Sequence, residues 1–233
     1  MRPELERVLS GFAVGRLELI PEVRLERVGP AVAALWPELP ELDFVNRIYG
    51  LADAAGLAPL EAIYAAEGLR PWIELPEGQE PAGWERLEPV WVLAGPAAEL
   101  PAPGVREVGA DEAGLFAVTF CDGNGAPPFA RPHVARWADR SGWRLYVAEL
   151  DGVPAAAGVL VLDGEIGCLA GASTLPAFRG RGCQTALIRR RLSDAAAARC
   201  REVCSLTANP ASRRNLERCG LTLAYTKTAW RKR

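Results

Sequence analysis

Apolar residues recur at strand spacing through the second half of this chain, broken by turn signals, and they predict its elements one after another. Val105–Val108 reads as a short strand. Asp111 is the expected N-cap of a helix reaching about Phe120, and a second helix is expected over Ala130–Asp139. Trp143–Leu150, Ala155–Leu162 and Glu165–Ser173 read as three strands separated by Asp151-Gly152 and Asp163-Gly164, pairs that favour tight hairpins. An antiparallel meander follows. Gly182–Cys200 then has the composition of a long helix, with Ala186, Leu187, Arg190, Leu192 and the run Ala195–Ala198. Val203–Thr207 is a strand, Ala211–Arg218 a short helix closed by Gly220, and Leu221–Trp230 a last strand. The order β-α-α-β-β-β-α-β-α-β predicts an α/β (α+β) fold: a mixed, mainly antiparallel sheet flanked by helices. A splay is expected between the strands Glu165–Ser173 and Val203–Thr207.

The first half carries the same kinds of element less distinctly. A helix is expected near Pro3–Phe12, then strands near Arg24–Val28, Ala31–Leu35 and Asp43–Tyr49. Leu60–Glu67 looks helical, and Trp72–Leu75 and Pro89–Leu93 read as strands. Ala94–Gly104, rich in Ala, Pro and Gly, has no apolar period and reads as a linker. The boundary is therefore set between residues 1–95 and 104–233. Ala66–Leu75 and Ala197–Leu206 each run from a helix end through an Arg into an apolar strand, which hints at a duplicated fold.

Composition narrows the chemistry. The 233 residues are 49% apolar and 24% charged, with a net charge of −2, which argues against nucleic acid or a membrane surface as the general partner. No run of about 18 apolar residues predicts a transmembrane helix, and Glu4 and Glu6 interrupt the start where a signal peptide would be apolar. A cytoplasmic location is expected. Six cysteines without a CxxC and a single histidine, His133, leave a metal site short of ligands, so no metal is expected. Charge is uneven, however. From Pro176 to Arg201 there are seven arginines against one acid, Asp194, enough to meet an anion.

That basic stretch contains Ser173–Gln184, STLPAFRGRGCQ, between an apolar strand and the long helix. Gly180 and Gly182 permit positive φ and close approach of backbone amides to a ligand, while the helix start adds free N–H groups. Arg179 and Arg181 add forked donors suited to phosphate oxygens. The competing reading is a solvated arginine-rich turn whose glycines only reverse the chain. A Walker loop would need GxxxxGK[ST], which is absent. A dinucleotide loop would need GxGxxG, but Thr185 stands where its last glycine belongs.

The loop resembles the acyl-CoA motif of the GNAT acyltransferase superfamily, Arg/Gln-x-x-Gly-x-Gly/Ala, written here Arg179-Gly180-Arg181-Gly182-Cys183-Gln184, with Pro176 ahead of it. The resemblance extends from about Val105 to Arg233 and takes in Asn209-Pro-Ala-Ser212 and Leu216-Glu-Arg-Cys-Gly-Leu221. It implies an N-acyltransferase using acetyl-CoA as co-substrate and a small-molecule or peptide amine as acceptor. The rival reading is a non-catalytic acyl-CoA-binding module. It further implies a pantetheine arm against Ala172, Ser173 and Thr174, a pyrophosphate on the amides of Arg181–Thr185, and contacts from Asn209 and Asn215. Two departures stand out. Gln184 replaces the final Gly/Ala, and Leu216 stands where many members carry the tyrosine that protonates the leaving thiolate. Tyr225 is the candidate replacement acid. Glu149 is the candidate base, with His133 and Glu165 as weaker ones. The first half, with DFVNRIYGL and LEAIYAAEGL, resembles the leading half of tandem GNAT proteins but lacks the loop, so it is expected to bind no CoA. A homodimer is compatible with this reading.

Overall fold

A computed structural model describes residues 1–42 and 44–233. In chain order the elements are α1 (Pro3–Leu17), β1 (Arg24–Val28), β2 (Ala31–Leu35), β3 (Arg47–Tyr49), α2 (Leu57–Ala66), β4 (Trp72–Pro76) and β5 (Trp84–Pro96). They continue with β6 (Val105–Val108), α3 (Ala113–Asn124), α4 (Ala130–Ala135), β7 (Trp143–Leu150), β8 (Val153–Asp163) and β9 (Ile166–Thr174). The last are α5 (Cys183–Ala197), β10 (Glu202–Thr207), α6 (Pro210–Arg218) and β11 (Thr222–Lys232). Asp43, where the expected third strand begins, lies outside the described residues. The chain forms two compact units, Met1–Val92 with Ala224–Arg233, and Leu93–Leu223. The last strand thus groups with the first unit rather than with residues 104–233.

The first unit orders its strands β1-β2-β3-β4-β11-β5. β1–β2, β2–β3 and β4–β11 are antiparallel, and β3–β4 is parallel across the crossover helix α2. β2, five small or branched apolar residues, is buried along its whole length. Leu60, Tyr64, Ile73, Leu75 and Trp230 close the core around it, each large apolar side chain contributing about 1.5–3 kcal/mol by leaving water. α1 begins with Pro3 and has Glu4 and Glu6 in its first turn, where the helix dipole favours acids. It runs five residues past the expected end because Val14 and Leu17 are buried.

A charge network crosses this unit. Lys227 Nζ lies 3.0 Å from both Glu6 and Glu74, Arg47 pairs with Glu74, and the Tyr225 hydroxyl donates to Glu6 at 2.6 Å. Burial works to raise the Glu74 pKa, but Arg47 and Lys227 outweigh it and hold the carboxyl at about 2. Burial likewise opposes the charge of Lys227, and its two carboxylates reverse that and raise its pKa.

The second unit orders its strands β10-β9-β8-β7-β6, antiparallel except for the parallel pair β9–β10. In the β7–β8 hairpin Asp151 and Gly152 both take positive φ, the type I′ geometry that such a pair favours. The β8–β9 turn is displaced by one residue from expectation. Asp163 still pairs with Ile166, so Gly164 and Glu165 make the turn, with glycine at its first central position. Asp111 gives no cap: it lies in a 3-10 turn, Ala110–Glu112, and α3 starts at Ala113 without a side-chain cap. α3 ends at Asn124, four residues beyond Phe120, and is capped by Gly125, left-handed at φ 66°. An aromatic row fastens α3 and the segment after α4 to β7. Phe120 meets Trp137 edge-on at 5.0 Å, and Trp137 meets Trp143 at 5.9 Å. The expected strand Pro89–Leu93 is longer, Trp84–Pro96, so the Ala94–Gly104 linker begins inside a strand.

β9 and β10 carry the feature that positions the site. Their ladder covers Ile166–Cys168 against Glu202–Cys204, and both strands then run on, β9 to Thr174 and β10 to Thr207, without further registered pairs. This is the expected splay. β9 also carries a bulge: Val159 faces Ala170 and Gly158 faces Ala172, leaving Gly171 without an opposite residue.

Candidate functional site

A cleft of about 770 Å³ opens where β9 and β10 part. The end of β9 supplies Ala172, Ser173 and Thr174 as one wall. Phe178, Arg179, Gly180 and Gly182 of the following loop, and Cys183, Gln184 and Thr185 of α5, form the head. Thr207, Asn209 and the α6 residues Ser212, Asn215 and Arg218 close the far side, and Gly123 and Asn124 at the end of α3 complete it.

The backbone at the head is arranged for an anion. Gly182 is the N-cap of α5 with φ 85° and ψ −3°, and no side chain caps the helix. The first intrahelical bond is Ala186 N to Gly182 O at 3.0 Å. The amides of Cys183, Gln184 and Thr185 therefore have no backbone acceptor in the helix, and that of Cys183 faces its own sulfur. A 15-residue helix aims its positive dipole end at the same place.

Most side chains around the cleft are held by one another. Arg179 donates from Nη2 to Gly123 O at 3.1 Å and from Nε to Thr174 O at 3.3 Å, tying the loop to α3 and β9. Arg181 does not line the cleft. It is about half exposed, 3.4 Å from a largely exposed Asp151, with its guanidinium 5.7 Å over the Phe178 ring. Ser173 donates to Phe120 O at 3.0 Å, and α3 passes so close that a Cβ on Gly123 would sit 2.6 Å from Ser173 Oγ. Asn209 caps α6, its Oδ1 accepting from Ala211 N at 2.8 Å and Ser212 N at 3.1 Å. Gln184 donates to Ser212 at 3.1 Å and accepts from Asn215 at 2.7 Å, so the side chain that departs from Gly/Ala joins α5 to α6. Asn215 accepts in turn from Arg218 at 3.1 Å. Cys183 is buried and its thiol pKa is raised by desolvation, so the group at the helix start is a thiol rather than a nucleophilic thiolate.

The structure thus brings eleven of the expected cofactor residues together: Ala172, Ser173, Thr174, Arg179, Gly180, Gly182, Cys183, Gln184, Thr185, Asn209 and Asn215. It does not bring the expected acid and base there. Tyr225 belongs to the first unit and donates to Glu6. Glu149 accepts from Arg106 Nε at 2.9 Å, and Arg106 also pairs with Glu112 at 2.6 Å. Glu165 is exposed and 3.6 Å from Arg201, and His133 does not line the cleft. Leu216, at the tyrosine position, is buried. Among the described lining residues there is no carboxylate, histidine, lysine or tyrosine. No group of three or more metal-ligating side chains occurs among the described residues, and no helix there is long and apolar enough to cross a membrane. Sequence reading quoted the segments that hold Ser212 and Arg218 without assigning either to the walls, and missed Gly123 and the buried Arg191. None of these carries a local signal beyond its place on a helix.

With that geometry in view, residues 116–221 match the family model described as Acetyltransferase (GNAT) family. The segment 116–221 is a GNAT domain. No curated protein matches the sequence. Among solved structures, a GCN5-related N-acetyltransferase from Kribbella flavida is similar, with a TM-score of 0.61 and 19% identity, covering 96% of this chain and 95% of that one. A GCN5-related N-acetyltransferase from Sphaerobacter thermophilus has a TM-score of 0.58 at 14% identity, over 100% and 93% of the two chains. A functionally unknown conserved protein from Staphylococcus epidermidis has a TM-score of 0.64 at 10% identity, over 91% and 94%. At these identities the likeness is one of fold, and it takes in the whole chain rather than the GNAT segment alone.

Proposed function

We propose that this chain transfers an acetyl group from acetyl-CoA to a primary amine on a small molecule or peptide, with the cleft of the second unit as the co-substrate site. The observation that carries this reading is the row of amides without backbone acceptors at the head of α5, opening on the splay of β9 and β10 inside a GNAT segment. The amides of Arg181–Thr185 would hold the pyrophosphate, and the free edge of β9 at Ala172–Thr174 would pair with the pantetheine amides. Arg179 keeps the loop against β9, and Asn209 and Asn215 fix the α6 wall. The first half serves as a GNAT-like partner without a CoA loop. The cytoplasmic location belongs to the same proposal.

Acetyl-CoA brings an activated thioester. The amine nitrogen bonds to the acyl carbon, the carbon–sulfur bond breaks with its electron pair on sulfur, and the amine gives a proton to water. A thiol of pKa about 8.5 can leave as thiolate near neutral pH without a dedicated donor, consistent with a buried Leu216 and a cleft without an acid. Catalysis then rests on holding the two reactants in line. That same lack of an acid favours the second reading, a module that binds acyl-CoA without turnover.

The test is release of free CoA from acetyl-CoA over a panel of amines, alongside binding with no amine present. Ligand at a hundredfold over Kd should stabilise the fold by about 2.7 kcal/mol, a rise of roughly 5–10 °C in Tm for a chain of this size. Binding with CoA release marks the transferase. Binding with no release across the panel marks the module, and an unchanged Tm in ligand-free protein removes both.

A further inference from the structure

α5 contains three successive arginines, Arg189 to Arg191, that turn in different directions. Arg189 is exposed, and Arg190 pairs with Asp194 at 2.9 Å. Arg191 points into the core between Leu187 and Ala195 and is 1% exposed. Among the described residues no carboxylate pairs with it; the titratable groups facing it are Tyr146 of β7 and Cys168 of β9. A buried cation without a counter-charge is expensive, and a leucine or methionine would fill this place at lower cost.

Its hydrogen bonds say what the cation holds. Nε donates to Leu187 O at 3.0 Å within its own helix. Nη1 donates to Val159 O at 2.9 Å and to Ala170 O at 3.0 Å. Val159 and Ala170 are the facing pair at which the register shifts, next to the unpaired Gly171. Gly158, on the other side of the shift, leaves the room: a Cβ there would stand 3.1 Å from the guanidinium carbon. One side chain therefore grips both strands at the bulge. The cleft wall begins one residue further on, at Ala172. Desolvation lowers the Arg191 pKa to about 10, so the group stays charged at neutral pH.

We propose that Arg191 is a positioning residue for acyl transfer: it pins the bulge of β9 at the inner end of the splay and keeps a positive charge behind it, where the acyl oxygen gains negative charge. This rests on the acetyl-CoA reading. An acyl chain running inward from the amides of α5 along Thr174–Ala172 reaches the bulge before the β9–β10 ladder resumes at Cys168. A fixed charge behind that point favours the transition state over the bound thioester.

The experiment compares wild type, Arg191→Met and Arg191→Lys in the full chain. It measures acetyl-CoA Kd, kcat and KM on the best amine, and amide hydrogen exchange over residues 168–174. Arg191→Met should bind acetyl-CoA within about threefold of wild type while kcat falls about a hundredfold, as when one preorganised electrostatic partner is removed. Arg191→Lys should recover about tenfold of that kcat, and exchange over 168–174 should rise in Arg191→Met alone or most. Unchanged kcat and exchange in a folded Arg191→Met overturn the proposal. So do equal losses of Kd and kcat that lysine does not relieve, which would mean packing only. Should Arg191→Met not fold, Gly158→Ala crowds the guanidinium without removing it, and kcat within twofold of wild type in that variant overturns the proposal as well. If wild type itself neither binds nor turns over acetyl-CoA, the functional reading fails, and the exchange measurement still decides whether Arg191 pins the bulge.

Discussion

Gly182→Val tests whether backbone rather than arginine holds the co-substrate. Gly182 sits at φ 85° and ψ −3°, and an added Cβ would meet nothing within 4 Å, so the free protein pays no clash. It pays for backbone conformation. A left-handed residue with a side chain costs about 1–2 kcal/mol, more when β-branched, so Tm should fall by roughly 2–8 °C. If the chain instead relaxes to negative φ, the amides of Cys183–Thr185 turn away from the cleft. Each hydrogen bond to a charged group contributes about 1.5–3 kcal/mol. Losing two of them weakens acetyl-CoA by about two to four orders of magnitude, and the new side chain stands in the phosphate path besides. Arg181→Ala removes a side chain that does not line the cleft and has one exposed partner. Its loss should therefore weaken binding by no more than about tenfold, the contribution of a single charged contact. Calorimetric titration of each variant against wild type, with circular dichroism to show that each is folded, gives the comparison. Wild-type affinity in folded Gly182→Val, or a greater loss in Arg181→Ala, refutes the backbone cradle.

Two further outcomes follow from the same structure. Glu74 has a folded pKa of about 2 against an ordinary 4.5, so it stabilises the fold above pH 4.5 and loses that contribution as pH falls toward 2. The shift corresponds to about 3 kcal/mol, and Glu74→Gln should lose that much at pH 7 in urea unfolding while becoming less acid-sensitive; equal acid sensitivity in both proteins contradicts the assignment. Glu149→Gln and Tyr225→Phe should each keep kcat within about threefold, because one carboxylate is held by Arg106 and the hydroxyl donates to Glu6. A hundredfold fall in either, with the fold intact, would restore that residue as acid or base.

What the sequence made legible was local. The two hairpins, the second with its turn displaced by one residue, the order of elements after Val105 and the glycine-arginine loop each depend on a few neighbouring residues, and the structure contains all of them. The unread features depend on distant partners. β11 groups with the first unit through pairing with β4, from Lys227–Pro76 to Arg231–Trp72, which no spacing within either strand announces. Its tyrosine, the candidate acid, donates to Glu6, a partner more than two hundred residues earlier that a local reading does not see. Asp111 has the composition of a cap, but the buried face of α3 begins at Ala113 and Phe116 and sets the helix start after it. Asn209, expected as a cofactor contact, also caps α6 and still lines the cleft.

The arginines show most directly why composition and site differ. Seven of them within 26 residues suggested a cationic surface for an anion. In the fold, Arg179 binds carbonyls at the strand end, Arg181 faces Asp151, Arg190 pairs with Asp194, Arg201 leans toward Glu165, and Arg191 is buried. Arg179, Arg190 and Arg191 thus serve to fix the loop, the helix and the bulge. The groups left without backbone acceptors at the cleft are the amides at the head of α5, which are present whatever side chains follow Gly182 provided the chain turns there at positive φ. On the proposed reading, phosphate affinity is a property of backbone direction, and the side chains around it hold that direction in place.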